Sequence, residues 1–376
     1  MKIGIIDADL LGRQNHRFPN LALMKISGYY KALGCEVKLV SYDSVHSDAF
    51  FPEKFDKIFL SKVFTETQVP EFIFKMDNLE YGGTGFFFDL APSLPNEIEH
   101  HFPDYHLYDN YLNYELKKVN RKKKWFRYYF DYSIGFTTRG CFRHCQFCVN
   151  RNENKVRVHS PVSEFLDKKR KKICLLDDNV FGYPRWSEVF DQLIEANKPV
   201  QYNQGLDIRL LTEKKAEYLS KMKYDSFMTF AFDNYQDKDV IVKKIQIFKK
   251  VMPNAIPRLF VLIAFDRNDK YDLEFWERDV VELFERLKVL MKYRCVPYIM
   301  RFIKWKECPP VFYPVYEAVN SFGAPIIFKK KTFLEYATPS STGKGRMKGI
   351  VKFVREYPQI ADKYFNLRYG EINEEV

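Results

Sequence analysis

Thr137-Thr138-Arg139-Gly140-Cys141-Phe142-Arg143-His144-Cys145-Gln146-Phe147-Cys148 places three cysteines at the spacing Cys-x3-Cys-x2-Cys, with an aromatic residue, Phe147, just before the last. The stretch grows out of residues 132–138, an apolar and β-branched run that reads as a strand. The cysteines therefore fall on the loop at that strand's C-terminal end, the edge of a parallel sheet that carries the active site in barrel folds. Three thiolates on one short loop can hold three corners of a cubane iron–sulfur cluster, leaving the fourth iron open to a small molecule. The alternative is a zinc site in which His144 joins the three cysteines. Two features weigh against it. His144 and Cys145 are adjacent, an awkward geometry for two ligands of one tetrahedral ion, and the cluster opens a long βα series rather than sitting in a small Cys-rich knuckle.

Downstream, strand-like runs recur at 172–176, 200–205, 227–232, 259–264 and 296–302, separated by helical patterns such as 186–196, 213–222 and 273–291. Together with 132–138 this predicts a partial (β/α)6 barrel of TIM type. Upstream, KIGIID at 2–7, an apolar helical pattern at 21–33 stopped by Gly34, further strand runs at 36–40 and 57–64, and the turn Gly82-Gly83-Thr84-Gly85 form a shorter βαβ series. The expected fold class is α/β: an N-terminal Rossmann-like parallel sheet over residues 1–115, the partial barrel over 116–310, and a C-terminal extension over 311–376. The Gly343-Lys344 pair in SSTGKGR is not a phosphate loop, because the leading glycine of that motif is missing.

The chain has 376 residues and a net charge of +11, unevenly spread. Residues 1–110 carry 10 Lys and Arg against 16 Asp and Glu, and the rest carry 50 against 33. The basic residues crowd at Lys117, Lys118, Arg121, Lys122, Lys123, Lys124 and Arg127, with further runs at 168–172, 329–331 and 344–348. A local bias of this kind predicts an anionic partner such as a nucleic acid, against a merely solvated surface. Trp125, Phe126, Tyr128 and Tyr129 abut the first run and read as core packing ahead of base stacking. Seven cysteines, an odd number, argue against a disulfide framework and for a reducing, cytoplasmic setting. No apolar run approaches the ~18–20 residues of a membrane span, and the first residues lack a signal-peptide core.

The cysteine spacing and its position after the first strand of the series resemble the radical S-adenosylmethionine (radical SAM) superfamily. The resemblance implies a 4Fe–4S cluster on Cys141, Cys145 and Cys148, whose open iron chelates S-adenosylmethionine. It also implies reductive cleavage to a 5′-deoxyadenosyl radical, and a reductant such as flavodoxin or ferredoxin. In that family the end of the second strand recognises the methionine ammonium. Here it reads Leu176-Asp177-Asp178-Asn179, so Asp178, with Asp177 beside it, takes that place. The third strand runs into Asn203-Gln204-Gly205-Leu206-Asp207-Ile208-Arg209, where Asn203 and Arg209 line the expected site and Arg209 suits a carboxylate. Asp233 and Asp266 follow the next two strands and are placed to meet ribose or substrate; the plainer reading of either is a cap or loop bridge.

The N-terminal region resembles the cobalamin-binding Rossmann-like domain of one subclass. Where that motif is Asp-x-His-x-x-Gly, this sequence has Asp7-Ala8-Asp9-Leu10-Leu11-Gly12, and Asp9 replaces the cobalt-ligating histidine. A bound cobalamin is therefore not expected. Cys308 stands alone near the same edge and reads as a small packed thiol. No catalytic residue is named by the sequence. The rival from another class is a non-catalytic nucleic-acid-binding protein with a structural metal on the three cysteines.

Overall fold

The computed structural model describes residues 1–13, 16–40, 54–118, 121–322, 332–337 and 344–368. The basic stretch 329–331 and residues 340–343 of the SSTGKGR segment lie outside the described residues. The chain divides into two compact units, 1–178 with 191–200, and 179–190 with 201–376. The division falls within the helix Trp186–Ala196 and within the strand Val200–Tyr202.

In the first unit, β1 (Lys2–Asp7), β2 (Glu36–Leu39), β3 (Lys57–Ser61) and β4 (Leu79–Gly82) form a sheet in the order β2-β1-β3-β4. Every pairing is parallel, with Ile3 opposite Val37 and Ile5 opposite Phe59. The near-continuous apolar run of β1 follows from burial on both faces. Ile3 and Ile5 pack with Leu23, Met24 and Ile26 of the helix Leu21–Ala32, and Ile6 packs on the other side with Leu11, Leu60 and Ile73. That helix starts at Asn20, whose side chain accepts the Leu23 N–H. The strand Leu79–Gly82 gives little sequence signal: it is short, and only an edge position accommodates its exposed Glu80 and Tyr81.

The first unit continues with β5 (Tyr132–Gly135), an antiparallel ribbon of β6 (Thr138–Arg139) and β7 (Arg157–Val158), and β8 (Lys172–Leu175). β5 and β8 pair in parallel, Ile134 opposite Cys174. The expected single strand over 132–138 thus breaks after Gly135. A Cβ at Gly135 would lie 2.3 Å from the Phe165 ring, so the strand ends where that ring packs directly on the backbone. Phe126 and Tyr129 are buried in the same core as Ile3 and Leu23, with Trp125 and Phe130 packed against it, which bears out the packing reading of these aromatics.

After β9 (Val200–Tyr202), the second unit has β10 (Thr229–Ala231), β11 (Arg258–Ile263) and β12 (Val296–Arg301), parallel and in that order. A parallel bridge joins Leu206 to Phe230. The helices Glu213–Lys221, Lys238–Val251 and Leu273–Lys292 separate these strands. Residues beyond 311 pack on the last of them through aromatics: Phe284 meets Phe333 at 5.0 Å and Phe365 at 5.2 Å between ring centres. The architecture is α/β with parallel sheets, and each strand expected in the second series is present. Among the described residues no helix is long and apolar enough to cross a membrane.

Candidate functional site

The cysteine loop is the connection between β6 and β7. Its base is closed by the ladder pairs Thr138–Val158 and Arg139–Arg157. Gly140 begins the loop with φ +91°, and a Cβ there would lie 2.4 Å from the Lys155 carbonyl oxygen, so the two limbs approach as only glycine permits. Within the loop, the Cys148 N–H donates to the Cys145 carbonyl at 2.9 Å, folding Cys145 to Cys148 into a tight turn. His144 has φ +50°, and its Nδ1 lies 2.8 Å from the Arg151 carbonyl oxygen, an acceptor, so Nδ1 carries the proton. That bond withholds Nδ1 from any metal. The Asn150 N–H points at Cys148 Sγ at 3.4 Å.

Two adjacent aspartates beyond β8 pin the loop from below. Asp177 is buried and accepts four hydrogen bonds, from Thr137 N–H (3.0 Å), Thr137 Oγ1 (2.5 Å), Thr138 N–H (2.7 Å) and Thr138 Oγ1 (2.7 Å). Burial raises its pKa, and the four donors oppose the rise. Asp178 accepts from Gly140 N–H with one oxygen and from Asn150 Nδ2 with the other, each at 2.7 Å. A third carboxylate, Asp89, takes Arg151 Nε at 2.6 Å and Asn152 Nδ2 at 2.9 Å, and Arg151 holds its pKa low. Arg157 and Glu153 form a further pair at 2.7 Å. Arg139, Arg143, Arg151, Lys155 and Arg157 flank the cysteines in sequence.

None of the seven cysteines is in a disulfide. Among the described residues no three His, Cys, Asp or Glu side chains converge to hold a metal ion. A single ion draws its ligands to one point, whereas a cubane keeps each thiolate on a different iron. Three thiols on one loop, with an amide N–H aimed at one sulfur, are a donor set compatible with either. Cys308 and Cys295 are buried, and burial pushes each thiol up to about 12, so both are packed thiols.

The remaining sequence-predicted residues lie in the second unit. Arg209, expected to meet a carboxylate ligand, already holds two: Asp207 at Nε (2.8 Å) and Asp237 at Nη1 (2.8 Å). Burial works against its charge, and the two carboxylates outweigh that and raise its pKa. Asn203 Oδ1 lies 3.4 Å from Gln201 Nε2. Asp233 stands beyond β10 with a buried Oδ1 that has no hydrogen-bond partner, and burial raises its pKa to about 6 against the pull of Arg286 and Arg209. Arg286, fully buried, donates through Nη1 to the carbonyls of Asp233 and Leu262, each at 2.8 Å. Asp266 accepts the N–H groups of Asn268 and Lys270 and shapes its own loop, the plainer of its two readings.

In the first unit, Asp9 is buried, with Oδ2 on the Val63 N–H (2.7 Å) and Oδ1 on Thr67 Oγ1 (2.5 Å). It ties the end of β1 to the loop after β3. The sequence reading did not anticipate Asn150, Asp89, Asp207, Asp237 or Arg286. Asp207 carries a signal of sorts, since it is an acid two residues from Arg209, whereas Asp237 lies 28 positions away.

The chain is similar to a cobalamin-dependent radical SAM enzyme. The structure of the enzyme OxsB with aqua-cobalamin and S-adenosylmethionine bound matches at 13% identity and a TM-score of 0.36. OxsB with aqua-cobalamin alone matches at 15% identity and the same TM-score. Each match covers 96% of this chain and 56% of the other, so this chain spans about half the length of the enzyme it matches. No family model matches the chain, and no curated protein does.

Proposed function

We propose that the chain is a radical SAM enzyme in which Cys141, Cys145 and Cys148 hold a 4Fe–4S cluster. The observation that carries this is the loop itself: three cysteines on one ribbon connection, fixed by the buried Asp177 and the half-buried Asp178 at the C-terminal edge of β5 and β8. When bound, such a cluster supplies the electron that cleaves S-adenosylmethionine and so sets up radical chemistry on a substrate. In this reading residues 1–115 are a Rossmann-like domain, 116–310 a partial (β/α)6 barrel and 311–376 an extension. Asp177 fixes the strand end that launches the loop. Asp178 keeps lone pairs in reserve beyond its two donors and is the first-unit carboxylate able to take a ligand ammonium. Asn203, Arg209 and Asp233 are assigned to ligand binding in the second unit. Among them Asp233, with an oxygen lacking any donor, has the clearest capacity to accept a hydrogen bond, and Arg209 acts through Asp207 and Asp237.

The first unit offers no imidazole to cobalt at Asp9, whose two oxygens are engaged. We therefore assign the chain no corrinoid. The substrate is anionic, a nucleic acid or nucleotide-linked molecule: Lys122, Lys123, Lys124 and Arg127 are exposed, and Arg17 stacks over Trp125 at 4.8 Å. A flavodoxin- or ferredoxin-class reductant in the cytoplasm completes the reading, in keeping with seven cysteines and no disulfide.

Anaerobic reconstitution with iron and sulfide, followed by reductant and S-adenosylmethionine, tests it. The expected result is a brown protein whose visible band bleaches on reduction and which yields 5′-deoxyadenosine. That product alone marks hydrogen abstraction, and S-adenosylhomocysteine beside it marks methyl transfer. A colourless protein that retains zinc and forms no 5′-deoxyadenosine overturns the proposal in favour of a structural metal site.

A further inference from the structure

The loop's most economical tie is a single side chain. Asp178 Oδ2 accepts the Gly140 N–H, one residue before Cys141, and Oδ1 accepts Asn150 Nδ2, two residues after Cys148. One carboxylate thus spans the whole run of cysteines. Asn150 in turn directs its backbone N–H to Cys148 Sγ at 3.4 Å. The other ties act elsewhere: the Arg139–Arg157 ladder and the Glu153–Arg157 pair close the base, and Asp89 holds the far side through Arg151 and Asn152.

We infer that Asp178 is a positioning residue that brackets the cysteine loop, holding Gly140 and Asn150 at a fixed separation so that Cys141 and Cys148 are presented together before any cluster is bound. The inference rests on the cluster reading for its purpose but not for its geometry, which belongs to the chain alone. It adds to the ammonium role assigned to position 178 above, since the carboxylate keeps lone pairs beyond the two that the bracket uses. Both hydrogen-bond partners are donors, and one is a neutral side-chain amide, so the bracket needs an acceptor on each side at position 178; Arg139 Nε, 3.9 Å from Oδ2, adds a longer ion pair to the same oxygen. A carboxylate provides both acceptors. An amide provides one acceptor and turns an N–H toward a donor on the other side. The arrangement also predicts a rescue. If the amide of D178N accepts from Gly140 through its oxygen, its NH2 can donate to the carboxylate of N150D, and the bracket is rebuilt with its polarity reversed and the total charge unchanged.

Hydrogen–deuterium exchange of the full-length apoprotein over residues 140–156, with iron content after reconstitution as a second readout, tests the bracket. A hydrogen bond to a charged group, once lost, speeds local exchange by on the order of tenfold or more. D178N and N150D should each show that acceleration and lose most of their iron. The double variant should return to within about threefold of the parent exchange rate and regain iron. Exchange in D178N equal to the parent, with only the affinity for S-adenosylmethionine reduced, overturns the bracket and leaves Asp178 as a ligand residue. A double variant no better than the worse single also overturns it. A parent chain that takes up no iron–sulfur cluster defeats the function reading instead, and the exchange data then judge the bracket alone.

Discussion

Asp177→Ala removes an acceptor that four donors share. The side chain is 3% exposed, so water does not replace it freely. The Thr137 and Thr138 hydroxyls can rotate toward other acceptors, but their backbone N–H groups are fixed at 3.0 and 2.7 Å from the carboxylate. Each buried N–H left without a partner costs about 1–3 kcal/mol, so two cost roughly 2–6 kcal/mol. Removing the charge offsets part of this, because burial already raises the Asp177 pKa and the ionised form is not at ease there. A net loss of about 2–4 kcal/mol is expected, a large share of the ~5–15 kcal/mol that holds a domain together. Asp177→Asn keeps one oxygen and should lose about half as much. The assay is urea unfolding of the apoprotein read by hydrogen exchange in peptides covering 132–160 and, separately, 258–301, since a chain of two compact units need not unfold in one step. The loss should be confined to the first set. A change below ~0.5 kcal/mol there, or an equal loss in both sets, refutes the argument that Asp177 secures the start of the loop.

Cys141→Ala, Cys145→Ala and Cys148→Ala should each abolish most iron retention and all 5′-deoxyadenosine formation, whereas Cys35→Ala, Cys174→Ala and Cys295→Ala should keep iron near the parent level; full iron in any of the first three refutes the ligand assignment. Glu99 pairs with Lys25 at 2.8 Å and His159 at 3.0 Å. Burial alone would raise its pKa, but these partners bring it down to about 2, below the ordinary 4.5. Its contribution is therefore present above pH 4.5 and lost as pH falls toward 2, and Glu99→Gln should flatten the acid limb of a stability–pH curve over that window. Lys215 is buried, and burial brings its pKa down to about 8. The unfolded chain holds that proton up to about 10.5, so stability should rise with pH between 8 and 10.5, and Lys215→Met should remove the slope. Binding of single-stranded nucleic acid should weaken with salt, with a log–log slope that becomes shallower when Lys122, Lys123 and Lys124 are changed to Ala; an unchanged slope removes the case for that partner. Purification in the presence of hydroxocobalamin should yield protein without a corrinoid, and stoichiometric corrinoid absorbance would contradict the assignment at Asp9.

The parallel strands were legible because strands buried on both faces write a plain apolar run, as KIGIID and RLFVLI do. The strand Leu79–Gly82 was not, since an edge strand keeps polar and aromatic residues outward and loses the pattern. The cysteines were legible from spacing alone, because covalent and metal chemistry restrict residue identity far more tightly than packing does. Their supports were hidden. Asn150 bonds to Asp178 across 28 positions and Arg151 to Asp89 across 62, and no local pattern marks such pairs. The break at Gly135 could have been read from the glycine, but the ring that excludes a Cβ belongs to Phe165, thirty residues on.

Aspartate at the end of a parallel strand is the recurring ambiguity in this chain, and the count of donors already on each carboxylate resolves it. Such a residue can fasten its own loop or receive a ligand, and its sequence context is the same in both cases. Asp9 and Asp266 have both oxygens engaged by nearby main-chain or hydroxyl donors, and each is accounted for as a fastener. Asp177 takes four donors, three on Oδ1 and one on Oδ2. Asp178 is shared between the two ends of the cysteine loop. Asp233 differs: its Oδ1 is buried without a donor, a cost that the nearby charges of Arg286 and Arg209 offset only in part. Arg286 reaches its carbonyl rather than its carboxylate, and Arg209 is held by Asp207 and Asp237. A carboxylate left in that condition has unused acceptor capacity at a strand's C-terminal end, where ligands of open parallel sheets bind. Among the described acids of the second unit, Asp233 is the one with a buried carboxylate oxygen that lacks a hydrogen-bond partner.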